Sequence, residues 1–228
     1  MTTVNLYLHE TIDPVRAPGA HTRYLDELGR IVKTAGNADG SAGGRCIANW
    51  VPVFLTGQWP QIIGFWQMPD GWDGFARHFD THPELFHQPL DRWYGERSGG
   101  SDRVLTGAEY TPTLDEITEQ GHTAPVVLHQ TVKLRPGGAP GYLADAGELK
   151  ETLGRRYGFY LFGGYEVALR NGTEAIVLWS FPDVRTFART QADPAAFPEL
   201  VKWHERAGAQ EQAHTGVLVR PTEWSALR

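Results

Sequence analysis

The chain has 228 residues, 41% of them apolar and 11% aromatic, with a formal net charge of −6. That supplies a proper hydrophobic core and argues against a phosphate-binding surface, because nucleic-acid binding depends on clustered Lys and Arg and no basic run is present. The single Cys46 excludes an internal disulfide framework, and no apolar run approaches the ~20 residues that span a bilayer.

In chain order, Val4 to Ile12 has strand character, and a Pro18-Gly19 turn leads to an amphipathic helix over Gly19 to Thr34. A Gly-rich insertion occupies Gly36 to Gly44. Cys46 to Thr56 and Gln61 to Met68 then form a hairpin. Pro69-Asp70 starts a helix carrying Phe75-Ala76-Arg77, with the aspartate near the positive end of its dipole. His82-Pro83 breaks that helix, a second one carries Leu90 and Trp93, and Asp102 to Tyr110 closes the unit as a strand.

The rest of the chain repeats this order. Val126 to Leu134 is a strand, Pro136-Gly137 a turn, and Gly141 to Arg156 an amphipathic helix. Phe159 to Arg170 and Glu174 to Phe181 flank Asn171-Gly172, the pair best suited to a two-residue hairpin turn. Pro182-Asp183, Phe187-Ala188-Arg189, Asp193-Pro194, then Leu200 and Trp203 follow, and His214 to Arg220 is the last strand. The offset between copies shrinks from 120 residues at His9 and His129 to 110 at Trp93 and Trp203, as expected if loops shortened after a duplication.

Each unit therefore reads strand, helix, strand, strand, helix, strand. The fold class is α+β, with two ferredoxin-like βαββαβ repeats at residues 1–110 and 125–228 and a largely polar linker at 111–124. Helices cover one face of each sheet and leave the other bare. The two antiparallel sheets are expected to pack face to face around a shared interior, as an intramolecular pseudo-dimeric α/β barrel.

The strand ending in Trp179, with Phe181-Pro182-Asp183-Val184, Phe187-Ala188-Arg189, Asp193-Pro194 and the Trp203 helix after it, resembles the dimeric α/β-barrel superfamily in a fused tandem form. It is most similar to the NIPSNAP branch, and Trp66 to Trp93 is a weaker copy. The resemblance covers almost the whole chain and implies the fold. It leaves the reaction open among cofactor-free monooxygenases, polyketide and aromatic-ring cyclases, lactone isomerases, haem-degrading enzymes and chlorite-dismutase-like haem proteins. The chain departs from the usual family start in having His9 and His129 in the first strands, and in its Gly-rich insertion.

Alternation along the first strand puts Leu6, Leu8 and Ile12 on one face, toward the helices, and Tyr7, His9 and Thr11 on the other, with His129 and Thr131 matching in the second copy. A histidine on an enclosed surface is a natural proton carrier. It also serves structurally by donating to a backbone carbonyl. The matched Trp66 and Trp179, with Trp50, Trp59, Tyr160, Phe162 and Tyr165 nearby and Gly163-Gly164 among them, suggest an aromatic-lined pocket for a planar apolar ligand. Asn49 could donate to a substrate oxygen. Glu166, matched to Val53, could be a desolvated base or an edge ion-pair partner.

His78 and His82 share a helix face, but Pro83 interrupts it and no third ligand has metal-site spacing, so no metal is expected. Arg77 and Arg189 fit structural contacts with carboxylates or helix ends. No nucleophile elbow, phosphate loop or dinucleotide fingerprint is present, and Cys46 reads as a small buried residue.

The expectation is a cofactor-independent enzyme acting on a hydrophobic aromatic or polyketide-like molecule inside the barrel, by acid/base-assisted cyclisation, isomerisation, elimination or direct oxygenation. His9 or His129 would be acid or base, Tyr7 or Tyr165 an oxyanion donor, and Trp66 and Trp179 the walls. Two alternatives are a haem protein with a barrel histidine as axial ligand and a non-catalytic binding protein. The composition suggests a bacterial protein and the single cysteine a cytoplasmic one, while secondary metabolism is what the resemblance implies. No nucleic-acid or membrane partner is expected, and homo-oligomer formation through sheet edges or helices is compatible with the pattern.

Overall fold

The computed structural model describes residues 4–35, 44–81 and 95–228. The Gly-rich insertion up to residue 43, and His82, His87, Leu90 and Trp93, lie outside the described residues. Strand β1 (Leu6–Pro14) is followed by α1 (Ala20–Ala35), β2 (Arg45–Pro52), β3 (Ile62–Met68), α2 (Gly71–Thr81) and β4 (Arg97–Gly107). A short α3 (Leu114–Glu119) leads to β5 (Val126–Leu134), α4 (Ala139–Gly147), α5 (Lys150–Tyr157), β6 (Tyr160–Val167), β7 (Glu174–Phe181), α6 (Val184–Ala192), α7 (Pro198–Gly208) and β8 (Glu211–Pro221).

Each half has the ferredoxin-like order, β4–β1–β3–β2 and β8–β5–β7–β6. The two sheets also join at both edges, β2 to β8 and β6 to β4, to close one eight-stranded antiparallel barrel. Each seam is short, pairing Trp50, Val51 and Pro52 with Pro221, Arg220 and Val219, and Leu105, Thr106 and Gly107 with Val167, Glu166 and Tyr165.

The duplication extends to irregularities. β1 against β4 shifts register between Asp13 and Pro14, and β5 against β8 shifts between Lys133 and Leu134. The bulges of β2 at Cys46/Ala48 and of β6 at Leu161/Gly163 likewise correspond. Register then matches Trp50 with Tyr165, Val51 with Glu166, Asn49 with Gly164, and Phe65 with Leu178. Glu166 thus corresponds to Val51 rather than Val53, because the hairpin connection from Trp50 to its partner Ile63 is longer than the one from Tyr165 to Ile176.

Two elements differ from the sequence expectation. The helix expected over Gly141 to Arg156 is two helices, α4 and α5, with the break falling at Gly147-Glu148-Leu149. The polar linker carries α3, whose capping box is complete. Thr113 Oγ1 accepts from Glu116 N (3.3 Å), and Glu116 Oε2 accepts from Thr113 N (2.7 Å). Its Leu114 and Ile117 are buried in the cluster that fills the barrel.

The halves are clasped reciprocally. After β4, the Tyr110 ring lies against Gly147 of α4 in the second half. After β8, Trp224 lies against Gly29 of α1 in the first half. A Cβ on Gly147 would sit 2.7 Å from the Tyr110 ring, and one on Gly29 3.0 Å from Trp224, so each aromatic ring rests where only glycine leaves room. Trp224 Nε1–H donates to Asn49 Oδ1 (2.9 Å). Its counterpart is poorer: Asn49 is replaced by Gly164, and the buried Tyr110 hydroxyl has no partner among the described residues.

Candidate functional site on the outer face of the second sheet

Alternation places Tyr7, His9 and His129 inside the barrel, as the sequence implies, with Trp50, Phe65 and Tyr165. The enclosed cavity expected there is instead filled. Tyr7 meets Tyr165 edge-on at 5.0 Å between ring centroids, Phe65 meets Tyr165 at 4.9 Å, and Trp50 lies 5.5 Å from Phe65. The physical reason is size, since an eight-stranded barrel is about wide enough for its own side chains to fill it.

His9 and His129 come together there. Their Nε2 atoms are 2.8 Å apart, so one ring donates and the other accepts. Both are neutral, because burial foremost pushes their pKa values down, His129 to about 4. Arg103, which both rings sense as a repelling charge, is itself held by Glu174 (3.1 Å), and Glu174 also accepts from Lys133 (2.5 Å). A histidine bonded to its own copy in a filled interior is a structural pair. It does not fit a haem axial ligand either, since the rings face each other with no space for a macrocycle between them.

The remaining expected residues point elsewhere. Trp66 and Trp179 flank the inward positions 65 and 178 and therefore face outward, so they cannot wall the interior. Asn49 is buried by the C-terminal segment. It accepts from Trp224, and its backbone N–H donates to Ser225 Oγ (3.0 Å), which occupies it structurally. Glu166 faces outward at the β4–β6 seam, on the opposite side of the strand from Tyr165. Arg77 pairs with Asp70, and Asp183 caps α6 by accepting from Thr186 N (2.6 Å). Among the described residues no three His, Cys, Asp or Glu side chains cluster as a metal site.

A cavity of about 300 Å³ does exist, between the outer face of β5, β7 and β8 and the helices α6 and α7. Leu128, Phe159, Phe181, Phe187 and Leu200 wall it, and Trp179, Gln130, His214 and His204 supply polar groups. Trp179 Nε1–H donates to Gln130 Oε1 (2.6 Å), which fixes the amide orientation. Gln130 Nε2 therefore donates to His214 Nε2 (2.9 Å), so that nitrogen carries no proton. His214 Nδ1–H then donates to Glu211 Oε2 (3.2 Å), and Tyr142 donates to Glu211 Oε1 (2.8 Å). His204 is kept neutral by partial burial, reinforced by His214 and opposed by Glu211.

The first half has a diverged copy. Trp66 Nε1–H donates to Glu10 Oε2 (3.0 Å), mirroring Trp179 and Gln130. Register puts Gly100 where His214 stands and Arg97 where Glu211 stands. Arg97 pairs with Asp102 (3.1 Å), and burial foremost, with Asp102, raises the Glu10 carboxyl. Among the described residues on these outer faces, the histidine–carboxylate pair belongs to the second half.

No family model and no curated sequence matches this chain, so likeness rests on structure. An anthrone oxidase-like protein superposes with a TM-score of 0.69 at 15% identity, covering 96% of this chain and 92% of its own. A protein from Fusobacterium nucleatum, provisionally assigned as a monooxygenase, gives 0.60 at 6% identity over 97% and 94%.

The chain has the dimeric α/β-barrel fold in fused form.

A haem-binding protein from Thermus thermophilus gives 0.50 at 14% identity over 98% and 93%. NIPSNAP proteins align over 43% and 47% of this chain. The closed barrel and the superpositions at 0.69 and 0.60 meet the fold expectation. The outer-face residues Gln130, His204, Glu211 and His214 were missed as a site. The available signal was that Gln130 and Trp179 alternate to the same face of adjacent strands. The Glu211–His214 pairing depends on the fold, because the β8 bulge beside Leu134 and the meeting with Gln130 on β5 are not legible in a linear sequence.

Proposed function

We propose that the outer-face cavity of the second half binds a small hydrophobic, aromatic or polyketide-like molecule and promotes its cofactor-independent oxidation by dioxygen. The observation that carries this reading is the hydrogen-bonded chain Trp179–Gln130–His214–Glu211 at the edge of an aromatic-walled cavity. His214 presents an unprotonated Nε2 toward Gln130, and Glu211 both fixes that tautomer and stabilises the imidazolium formed on proton uptake. A substrate with an acidic C–H beside an electron-rich ring would displace the Gln130 amide from His214 Nε2 and give its proton to that nitrogen. The carbanion would then add dioxygen, and return of that proton would yield the hydroperoxide, so that R–H and O2 become R–OOH. The Gln130 amide N–H so freed, held in orientation by Trp179, is the donor nearest the developing negative charge. The likeness to an anthrone oxidase-like protein supports a ring system of that kind.

The test is oxygen uptake with a hydroxylated anthrone, above its spontaneous oxidation. His214→Ala is expected to lower kcat about 10²-fold or more, as loss of a general base does, with the His9→Phe/His129→Leu variant retaining activity. Full activity in His214→Ala would overturn the reading.

A further inference from the structure

A second cavity, of about 480 Å³, lies at the β4–β6 seam, away from the site above. Its lining includes Thr106, Glu109, Tyr110, Leu143, Ala144 and Glu166. Comparison of the two seams shows what sets this one apart. At β2–β8 the corresponding residues are Val51 and Arg220, and the clasp is the larger Trp224 bonded to Asn49. At β4–β6, Glu166 stands for Val51 and Thr106 for Arg220, while Tyr110 and Gly164 replace the Trp and Asn of the clasp. The charge on the sheet is thus reversed in sign. A smaller clasp and a missing side chain also leave space between the strands and α4.

Neither Glu109 nor Glu166 has a hydrogen bond or ion pair among the described residues. Lys150, the cation beside Tyr110, gives its ammonium to the Tyr110 carbonyl and is not part of the lining. Leu143, Ala144 and Pro140 form an apolar floor from α4.

We propose that this cavity is a second ligand site, for a small organic cation whose ammonium group pairs with Glu166 and Glu109 while its apolar body rests on α4. The carboxylates attract the charge, and the floor removes the body from water. The assignment is independent of the oxidation reading.

The experiment is calorimetric titration of the protein with benzylammonium, and with benzyl alcohol as the uncharged isostere. Saturable binding of benzylammonium is expected, weakened about tenfold in Glu166→Gln, the factor that corresponds to loss of ~1.4 kcal/mol. Ala144→Phe, which fills the floor, should abolish it, and His214→Ala should leave it unchanged. No saturable binding, equal binding of benzyl alcohol, or binding indifferent to Glu166→Gln would each overturn the proposal.

Discussion

The buried histidine pair makes the fold acid-sensitive in a defined window. The pKa of His129 falls from 6.5 to about 4 on folding, so between these values the unfolded chain holds a proton that the folded chain refuses. Stability present above pH 6.5 is therefore lost as pH falls towards 4, and it levels off below. Linkage gives about 2 kcal/mol of loss at pH 5 from His129 alone and about 3 kcal/mol at the plateau. His9 shifts in the same direction and adds to this. The carboxylates held low by partners, such as Asp183 and Glu199, act in a more acidic range. Urea unfolding followed by tryptophan fluorescence at pH 7, 6 and 5 measures the slope. The variant His9→Phe/His129→Leu removes both titrating groups and both hydrogen-bonding partners, which costs less than orphaning one of them. It should be flatter with pH than the parent by about 2 kcal/mol or more over this range. Equal slopes in the two proteins would refute the argument that burial of this pair governs the response.

Three further outcomes follow from contacts already described. Gly147→Ala puts a methyl group 2.7 Å from the Tyr110 ring and should cost about 1–3 kcal/mol in denaturant unfolding, whereas Gly141→Ala, where a Cβ meets nothing within 4 Å, should not. Glu174→Gln leaves Arg103 facing the histidine pair without its counter-charge, and a loss on the order of 3 kcal/mol is expected by the same assay. Trp179→Phe removes the donor that fixes Gln130. It should lower stability by about 1 kcal/mol and reduce kcat in the oxygen-uptake assay more than it raises KM.

The architecture was legible because duplication, alternation and turn residues act locally. His9 and Tyr7 sit inward because strand side chains alternate, and β5 repeats the pattern with His129. The matched Pro69-Asp70 and Pro182-Asp183 pairs placed the helices that follow β3 and β7. The interior was misread at the level of volume. Tyr7, Trp50 and Tyr165 were identified as inward or pocket-forming aromatics, but a list of rings does not say whether a barrel of this girth has space left over. Trp66 and Trp179 were joined to that interior, although alternation from His9 through its partner Phe65 already turns Trp66 outward. Glu166 needed the unequal lengths of the two hairpin connections, Trp50 to Ile63 and Tyr165 to Ile176, before its register, and hence its seam, could be assigned. The His214–Glu211 pair depends on a second bulge and on contacts across three strands, which a sequence does not carry.

The most direct test of where this protein works is a crystal structure with a hydroxylated anthrone bound under anaerobic conditions. The account predicts the ring system between Phe181, Phe187 and Trp179, with its acidic carbon facing His214. A ligand lodged between His9 and His129 within the barrel would contradict it.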